Sequence, residues 1–228
     1  MIGVDGCQGQ VMIAKIADNN VEIGLSPDLE CLKDETGLIL MDVPLGCPTS
    51  IHDVRPEPQL RQLMKGKASS VFNVPALQTL ELNSYDEANQ LHRLIMSKGL
   101  SRQSYHLLTL IKMANTFVLN YPHLNVHESF PELVFHRLND QPLGTSKHNP
   151  EGRKERFNLL LHHAPYLESG LLSAFKQFPT KQHSDILDAC ALAYAGLLIQ
   201  KHGAETIPTH PMKNSQGIEM KVLIFKEI

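Results

Sequence analysis

Four aspartates have the type and spacing to bring carboxylates together at one point. Asp5 and Asp42 each end a short apolar run, and Asp185 and Asp188 open a long apolar segment. Carboxylates are hard oxygen ligands, so a converging set holds Mg²⁺ or Mn²⁺ rather than zinc or copper. The chemistry to be tested is therefore that of a divalent-metal centre.

Asp185 and Asp188 are three residues apart on a predicted helix. Their carboxylates lie on one face of that helix, with Cβ atoms about 5–6 Å apart. The helix is apolar nearly all round, which predicts burial, and a buried carboxylate is costly unless it has a partner or a metal. This favours a function for Asp188. Asp185 has an equally good structural explanation, in which Ser184 is the N-cap and Asp185 stabilises the first helical turn.

Asp5 and Asp42 also have a simple explanation, because aspartate before Gly6 or ahead of Pro44 is common turn chemistry. For Asp42 a function is slightly favoured, since a whole apolar strand delivers the acid to a loop shaped by proline and glycine.

Two glutamates follow the next apolar run. Glu128 ends a predicted strand and is a candidate catalytic residue, as a further ligand or as a base that activates water. For Glu132 a capping role is favoured over catalysis, because Ser129-x-x-Glu132 fits the capping box.

One basic cluster follows, formed by Lys147, His148, Arg153, Lys154 and Arg156. A solvated loop and helix start is the favoured interpretation. In the alternative, Lys147, Arg153 and Lys154 bind the substrate as a phosphate-binding rim. The histidines lack zinc-ligand spacing, and no dinucleotide fingerprint, Walker sequence or Gly-x-Ser-x-Gly elbow is present.

Composition narrows the classes of protein. The 228 residues, 42% of them hydrophobic, can bury a large core, and we expect one elaborated domain. The formal net charge of −3 means that any nucleic-acid contact must come from a local patch. Four cysteines without a Cys-x-x-Cys pair favour a reduced, cytoplasmic compartment, and no apolar stretch is long enough to span a membrane.

The predicted elements place the acids at one edge of a sheet. They are strands at 1–5, 11–17 and 21–25, a short helix to about 33, a strand at 38–41, a largely helical block from about 56 to 120, a strand at 124–128, a short helix from 129, helices at 153–163, 171–178 and 185–202, and a strand at 218–225. This order predicts an α/β mixed sheet with helices on its faces, in which acids ending the first and fourth strands meet.

The chain resembles the domain-of-unknown-function family 429. The pieces that carry the resemblance are Gly3-Val4-Asp5-Gly6-Cys7, Asp42-Val43-Pro44-Leu45-Gly46, Ser69-Ser70-Val71-Phe72, Glu128-Ser129-Phe130-Pro131-Glu132, Ser146-Lys147 and Asp185-Ile186-Leu187-Asp188-Ala189. That family is described as predicted nucleases of ribonuclease H-like fold. The resemblance implies a single ribonuclease H-like domain over 1–228, with a helical insertion at about 49–120 and an extra C-terminal strand.

The leading hypothesis is a Mg²⁺- or Mn²⁺-dependent phosphodiesterase acting on nucleic acid. Asp5 would bridge two metal ions, Asp42 and Asp188 would each hold one, and Asp185 or Glu128 would complete the shell and orient water. Two alternatives stay open: a nucleotide-binding or phosphotransfer protein on the same fold, and a non-catalytic module whose helical block binds a partner. The substrate and the oligomeric state are not predicted.

Overall fold

A computed structural model describes residues 1–64 and 66–227 of the chain; Lys65, within the predicted helical block, lies outside the described residues. The chain forms two compact units. We call the first the sheet unit; it contains Met1–Asp42, His123–Glu205 and the described residues from Leu223 onward. The second, the helical unit, contains Val43–Pro122 and Thr206–Val222. All of the acids considered above belong to the sheet unit.

The sheet unit is built on five strands. They are β1 (Ile2–Cys7), β2 (Gln10–Ala17), β3 (Asn20–Ser26), β4 (Ile39–Met41) and β5 (Val126–Glu128). The order across the sheet is β3-β2-β1-β4-β5, with β1–β2 and β2–β3 antiparallel and β1–β4 and β4–β5 parallel. The prediction of a mixed α/β sheet is therefore confirmed.

Local sequence explains the meander. Asp18 and Asn19 both have positive φ, at 49° and 57°, which is the backbone of a tight hairpin between β2 and β3. Strand β4 is buried along its whole length, as its continuous apolar run predicts. The short helix predicted before it is only a 3-10 turn at Glu30–Leu32, in which the Asp28 carboxylate accepts the N–H of Glu30 at 2.9 Å.

The described part of the helical unit contains four α-helices. They are α1 (Glu57–Leu63), α2 (Tyr85–Met96), α3 (Arg102–His106) and α4 (Leu108–Asn120), with 3-10 turns between α1 and α2. The Asn115 amide on α4 donates to Pro44 O at 2.9 Å, and its oxygen accepts from the N–H of Gly46 at 2.8 Å. One buried side chain thus fixes the proline- and glycine-rich loop of this unit.

Four more helices complete the sheet unit. They are α5 (Pro131–Leu138), α6 (Pro150–His163), α7 (Glu168–Gln177) and α8 (His183–His202). Helix α8 packs on β1, β2 and β4, and its approach to β1 is close: a Cβ at Gly3 would lie 1.9 Å from Ala189 O. A side chain at position 3 would push the helix off the strand. No described helix is long and apolar enough to cross a membrane.

The last two strands form a separate ribbon, β6 (Ala204–Lys213) paired with β7 (Glu219–Phe225). The predicted strand at 218–225 corresponds to β7, whereas β6 is absent from the prediction. The reason is local, because Pro208 and Pro211 argue against a strand by sequence pattern. In a two-stranded ribbon both strands are edges, where proline is tolerated.

Candidate active site

The carboxyl edge of the parallel strands collects the acids. Asp5 lies in β1 and Asp42 directly follows β4, and the N–H of Asp42 donates to Val4 O at 2.9 Å. Asp185 and Asp188 lie in the first two turns of α8, which packs across β1 and β4. The structure therefore brings together all four aspartates singled out in the sequence.

Burial and mutual repulsion dominate the electrostatics of these acids. Asp188 is fully buried and Asp5 is 6% exposed, whereas Asp42 and Asp185 are partly exposed. Burial raises the pKa of Asp5 well above its usual value, and the carboxylates of Asp188, Asp42 and Asp185 raise it further. The positive charge of Lys147 opposes this shift only in part.

Asp42 titrates near neutrality. Burial raises its pKa; Lys147 lowers it, and Asp188 and Glu132 raise it, with a result of about 7. The pKa of Asp185 is also raised, first by burial, although a hydrogen bond from Cys7 opposes the shift. Burial and neighbouring carboxylates therefore make it costly to ionise all of these acids together.

Lys147 supplies the cation nearest to these acids in the described chain. Its Nζ donates to Asp188 Oδ2 at 2.5 Å, and 26% of its side chain is exposed. Burial alone would lower the pKa of Lys147, but Asp188, Asp5 and Asp42 raise it above the usual lysine value, so the group stays protonated. The other oxygen, Asp188 Oδ1, is buried and has no hydrogen-bond partner among the described residues.

A buried arginine supports the loop that carries Lys147. Arg156 on α6 is fully buried and donates to Gly152 O at 3.0 Å and to Thr145 O at 3.4 Å. Its Nη2 donates to Glu132 Oε1 at 2.7 Å. Arg156 is therefore part of the framework behind the acids, and not of the solvated loop or phosphate rim that the basic cluster suggested.

The capping box predicted at Ser129 and Glu132 is wrong. Helix α5 has Phe130 at its N-cap without a side-chain hydrogen bond, and Ser129 Oγ is buried without a described partner. The Glu132 carboxylate instead accepts a hydrogen bond from Arg156, which lies 24 positions further along the chain. A buried cation outcompetes a local amide for this carboxylate because a charge-assisted hydrogen bond is stronger.

The N-cap predicted at Ser184 is also wrong. Helix α8 begins at His183, after Gln182 at the N-cap, so Ser184 is already helical. Its hydroxyl donates to Asp185 Oδ1 at 3.2 Å. Asp185 does lie in the first turn, where the helix dipole favours an acid, as expected.

The other predicted site residues differ in whether they contact the four aspartates. Glu128 ends β5 in register with Met41, one residue before Asp42, and is buried. Arg153 donates to His148 O at 2.7 Å, and Lys154 is exposed on α6. The described contacts of Arg153 and Lys154 include none with the four aspartates, so of the three predicted phosphate-binding residues the structure brings Lys147 alone to the acids.

Cys7 is a site residue that sequence reasoning missed. Burial and a hydrogen bond to Asp185 raise the pKa of its thiol to about 12, so it is a neutral donor at the cluster. The signal was present, since residues two apart on a strand share a face and Cys7 follows Asp5 by two. Asp185 is thereby held by a hydroxyl and a thiol.

The donor chemistry of the cluster fits a hard divalent cation. Carboxylate oxygens are what Mg²⁺ and Mn²⁺ prefer, and Asp188 Oδ1 is a buried acceptor that lacks a donor. The acids do not already surround a metal position: among the described residues no three His, Cys, Asp or Glu side chains are arranged to hold an ion. Metal binding would therefore need side-chain movement.

Comparisons with known proteins give one match. No curated protein and no solved structure matches the chain. A family model described as "Protein of unknown function (DUF429)" matches residues 3–213, which is most of the chain. The chain belongs to this family.

Proposed function

We propose that this protein is a divalent-metal-dependent phosphodiesterase that hydrolyses nucleic-acid phosphodiester bonds. The observation that carries the proposal is Asp188. It is fully buried within a group of repelling carboxylates, one of its oxygens is paired with Lys147, and the other has no described partner. Such an arrangement is costly in a protein that only needs to fold. The neighbouring Asp5 and Asp42 have raised pKa values, and acids with perturbed pKa values are typical of functional sites.

The fold supports the same proposal. A ribonuclease H-like domain has a three-strand meander whose first strand runs beside and parallel to the fourth, with a helix closing over them. The order β3-β2-β1-β4-β5, the parallel β1–β4 pair and the packing of α8 on β1 agree with that arrangement. In this fold, acids on the first strand, at the end of the fourth strand and on the closing helix form the active site. Asp5 within β1, Asp42 directly after β4 and Asp188 on α8 have corresponding positions, which supports the proposal.

The side chains supply several parts of phosphodiester hydrolysis. A divalent cation held by Asp5, Asp42 and Asp188 would stabilise the negative charge that develops on the phosphate and help to ionise water. The Lys147 ammonium stays protonated and would donate to a phosphate oxygen.

A nucleic-acid substrate is proposed from the charges next to the site. The loop and helix start that follow Lys147 carry His148, Arg153 and Lys154, of which His148 and Lys154 are exposed. This local patch could hold the phosphate backbone despite the net charge of −3.

The test is hydrolysis by Asp188→Asn and Asp5→Asn variants. Wild type should cleave bis(p-nitrophenyl) phosphate or labelled DNA and RNA oligonucleotides with Mn²⁺ and lose activity in EDTA. Each variant should lose about 1,000-fold or more in kcat, because a group acting on the transition state is removed. Asp86→Asn, which changes an exposed acid on α2, is the matched control and should be as active as wild type. Full activity in Asp188→Asn, or activity that resists EDTA, would contradict the proposal.

A further inference from the structure

We propose that the acidic site takes a single divalent cation and that the Lys147 ammonium is a built-in second cation. This inference rests on the proposed function and changes the expectation, drawn from the sequence, that Asp5 bridges two metal ions. The geometry around Asp188 carries it.

The two oxygens of Asp188 are not equivalent. Oδ2 accepts from Lys147 Nζ at 2.5 Å, whereas Oδ1 is buried and lacks a described partner. One place for a cation is therefore left on this carboxylate. In the two-ion arrangement expected from the sequence, Asp5 and Asp42 hold the second ion. The Lys147 charge acts on both of these carboxylates, so a second ion there would meet a like charge, and like charges repel strongly in a buried setting.

Lys147 is held at the acids by its loop. Fully buried Arg156 donates to Gly152 O at 3.0 Å and to Thr145 O at 3.4 Å, one carbonyl on each side of Lys147. Gly152 itself packs so tightly that a Cβ there would lie 2.0 Å from Ser146 O. Because residues on both sides are fixed, the lysine is a structural part of the site rather than a mobile surface side chain.

A fixed ammonium suits the task of a second cation. It is a compact point charge with three N–H donors, and the 26% exposure of its side chain lets it meet a phosphate oxygen while it remains on Asp188. The lysine would therefore neutralise the phosphate beside the single metal ion.

The experiment counts Mn²⁺ ions bound at pH 8. Full-length wild type, Lys147→Met, Lys147→Arg and Lys154→Met are titrated with Mn²⁺ and followed by electron paramagnetic resonance of the free ion. Lys154→Met is the matched control, since Lys154 is an exposed lysine on α6. Folding of each variant is checked by circular dichroism and thermal unfolding.

Wild type, Lys147→Arg and Lys154→Met should each bind one ion. Lys147→Met should bind a second ion, or bind the first about tenfold more tightly, because a competing positive charge is gone. Two ions on wild type, or no change in number and affinity in Lys147→Met, would overturn the inference and leave the proposed function standing. No Mn²⁺ on wild type or on Lys147→Met would remove both. If Lys147→Met does not fold, the number bound by wild type and by Lys147→Arg decides.

Discussion

The aspartate cluster of the sheet unit and the Arg55–Glu57 pair of the helical unit are both buried ionic groups, and they are built in opposite ways. Arg55 Nη2 and Nε donate to Glu57 Oε1 at 2.8 and 3.1 Å, and Nη1 donates to Leu45 O at 2.5 Å and to Gly46 O at 3.3 Å. The side chains are 5% and 8% exposed. In these contacts one cation meets one anion, and Nη1 donates to backbone carbonyls.

The cluster has no such balance. The four aspartates lie beside Lys147, burial and neighbouring carboxylates raise the pKa of three of them, and one buried oxygen of Asp188 lacks a described partner. A balanced pair leaves no buried charge uncompensated, whereas an excess of one charge is costly and is typical of sites where a ligand supplies the opposite charge. This difference supports the proposal that the cluster is a functional site and that the pair is structural.

The largest stability effect should come from breaking the balanced pair. Arg55→Met leaves Glu57 buried without its cation, which should lower the free energy of unfolding by about 3–5 kcal/mol. Urea denaturation followed by circular dichroism at pH 7 measures this loss.

The matched control for this change is the double variant Arg55→Met, Glu57→Met. Removing both charges should recover most of the loss, because no uncompensated charge is left inside. A double variant no more stable than Arg55→Met would mean that the pair does not act as a balanced unit, and the contrast with the cluster would fail.

Removing an acid from the aspartate cluster should raise the free energy of unfolding instead of lowering it. Asp42 has a pKa of about 7 in the folded protein against a usual value of 3.8, so between these values the folded state binds a proton that the unfolded state has lost. Stability therefore falls as the pH rises from about 4 to about 7, and the full penalty is present above that range.

Asp42→Asn removes this penalty. The variant should be about 2 kcal/mol more stable than wild type at pH 8 in EDTA, a gain of about 5 °C in melting temperature, and the gain should shrink towards zero at pH 4. Thermal unfolding at both pH values measures it. A variant less stable than wild type at pH 8 would show that Asp42 is satisfied within the fold and would weaken the case for a site.

Sequence patterns predicted where the acids lie in the fold, but they did not predict which basic residues pair with them. The apolar run at 38–41 and the apolar helix from Asp185 are local patterns. Each places an aspartate at the carboxyl edge of the parallel strands, because the strand and helix periods fix the directions in which side chains point. Lys147 lies 41 positions from Asp188 and Arg156 lies 24 positions from Glu132. Loop conformation and long-range packing decide such pairs, and neither leaves a periodic signal.

The smallest effect is expected at Asp53, an acid whose neighbours satisfy it. Its Oδ2 accepts from the N–H groups of Thr49 and Ser50 at 2.6 and 3.1 Å. Burial alone would raise the pKa of Asp53, but these hydrogen bonds lower it below the usual value, so the carboxylate stabilises the folded state at neutral pH. That contribution is lost as the pH falls through the folded pKa.

Asp53→Asn should therefore lower the free energy of unfolding by about 1 kcal/mol at pH 8, with a smaller difference below pH 4. Urea denaturation on the same buffers as for Asp42→Asn gives a direct comparison of two Asp-to-Asn changes with opposite signs. Both variants could instead prove more stable than wild type at pH 8. The stability gained by Asp42→Asn would then come from removing any negative charge from a chain of net charge −3, and not from relieving repulsion within the cluster. Opposite signs would locate the unpaired charge at the aspartate cluster, where a cation is needed.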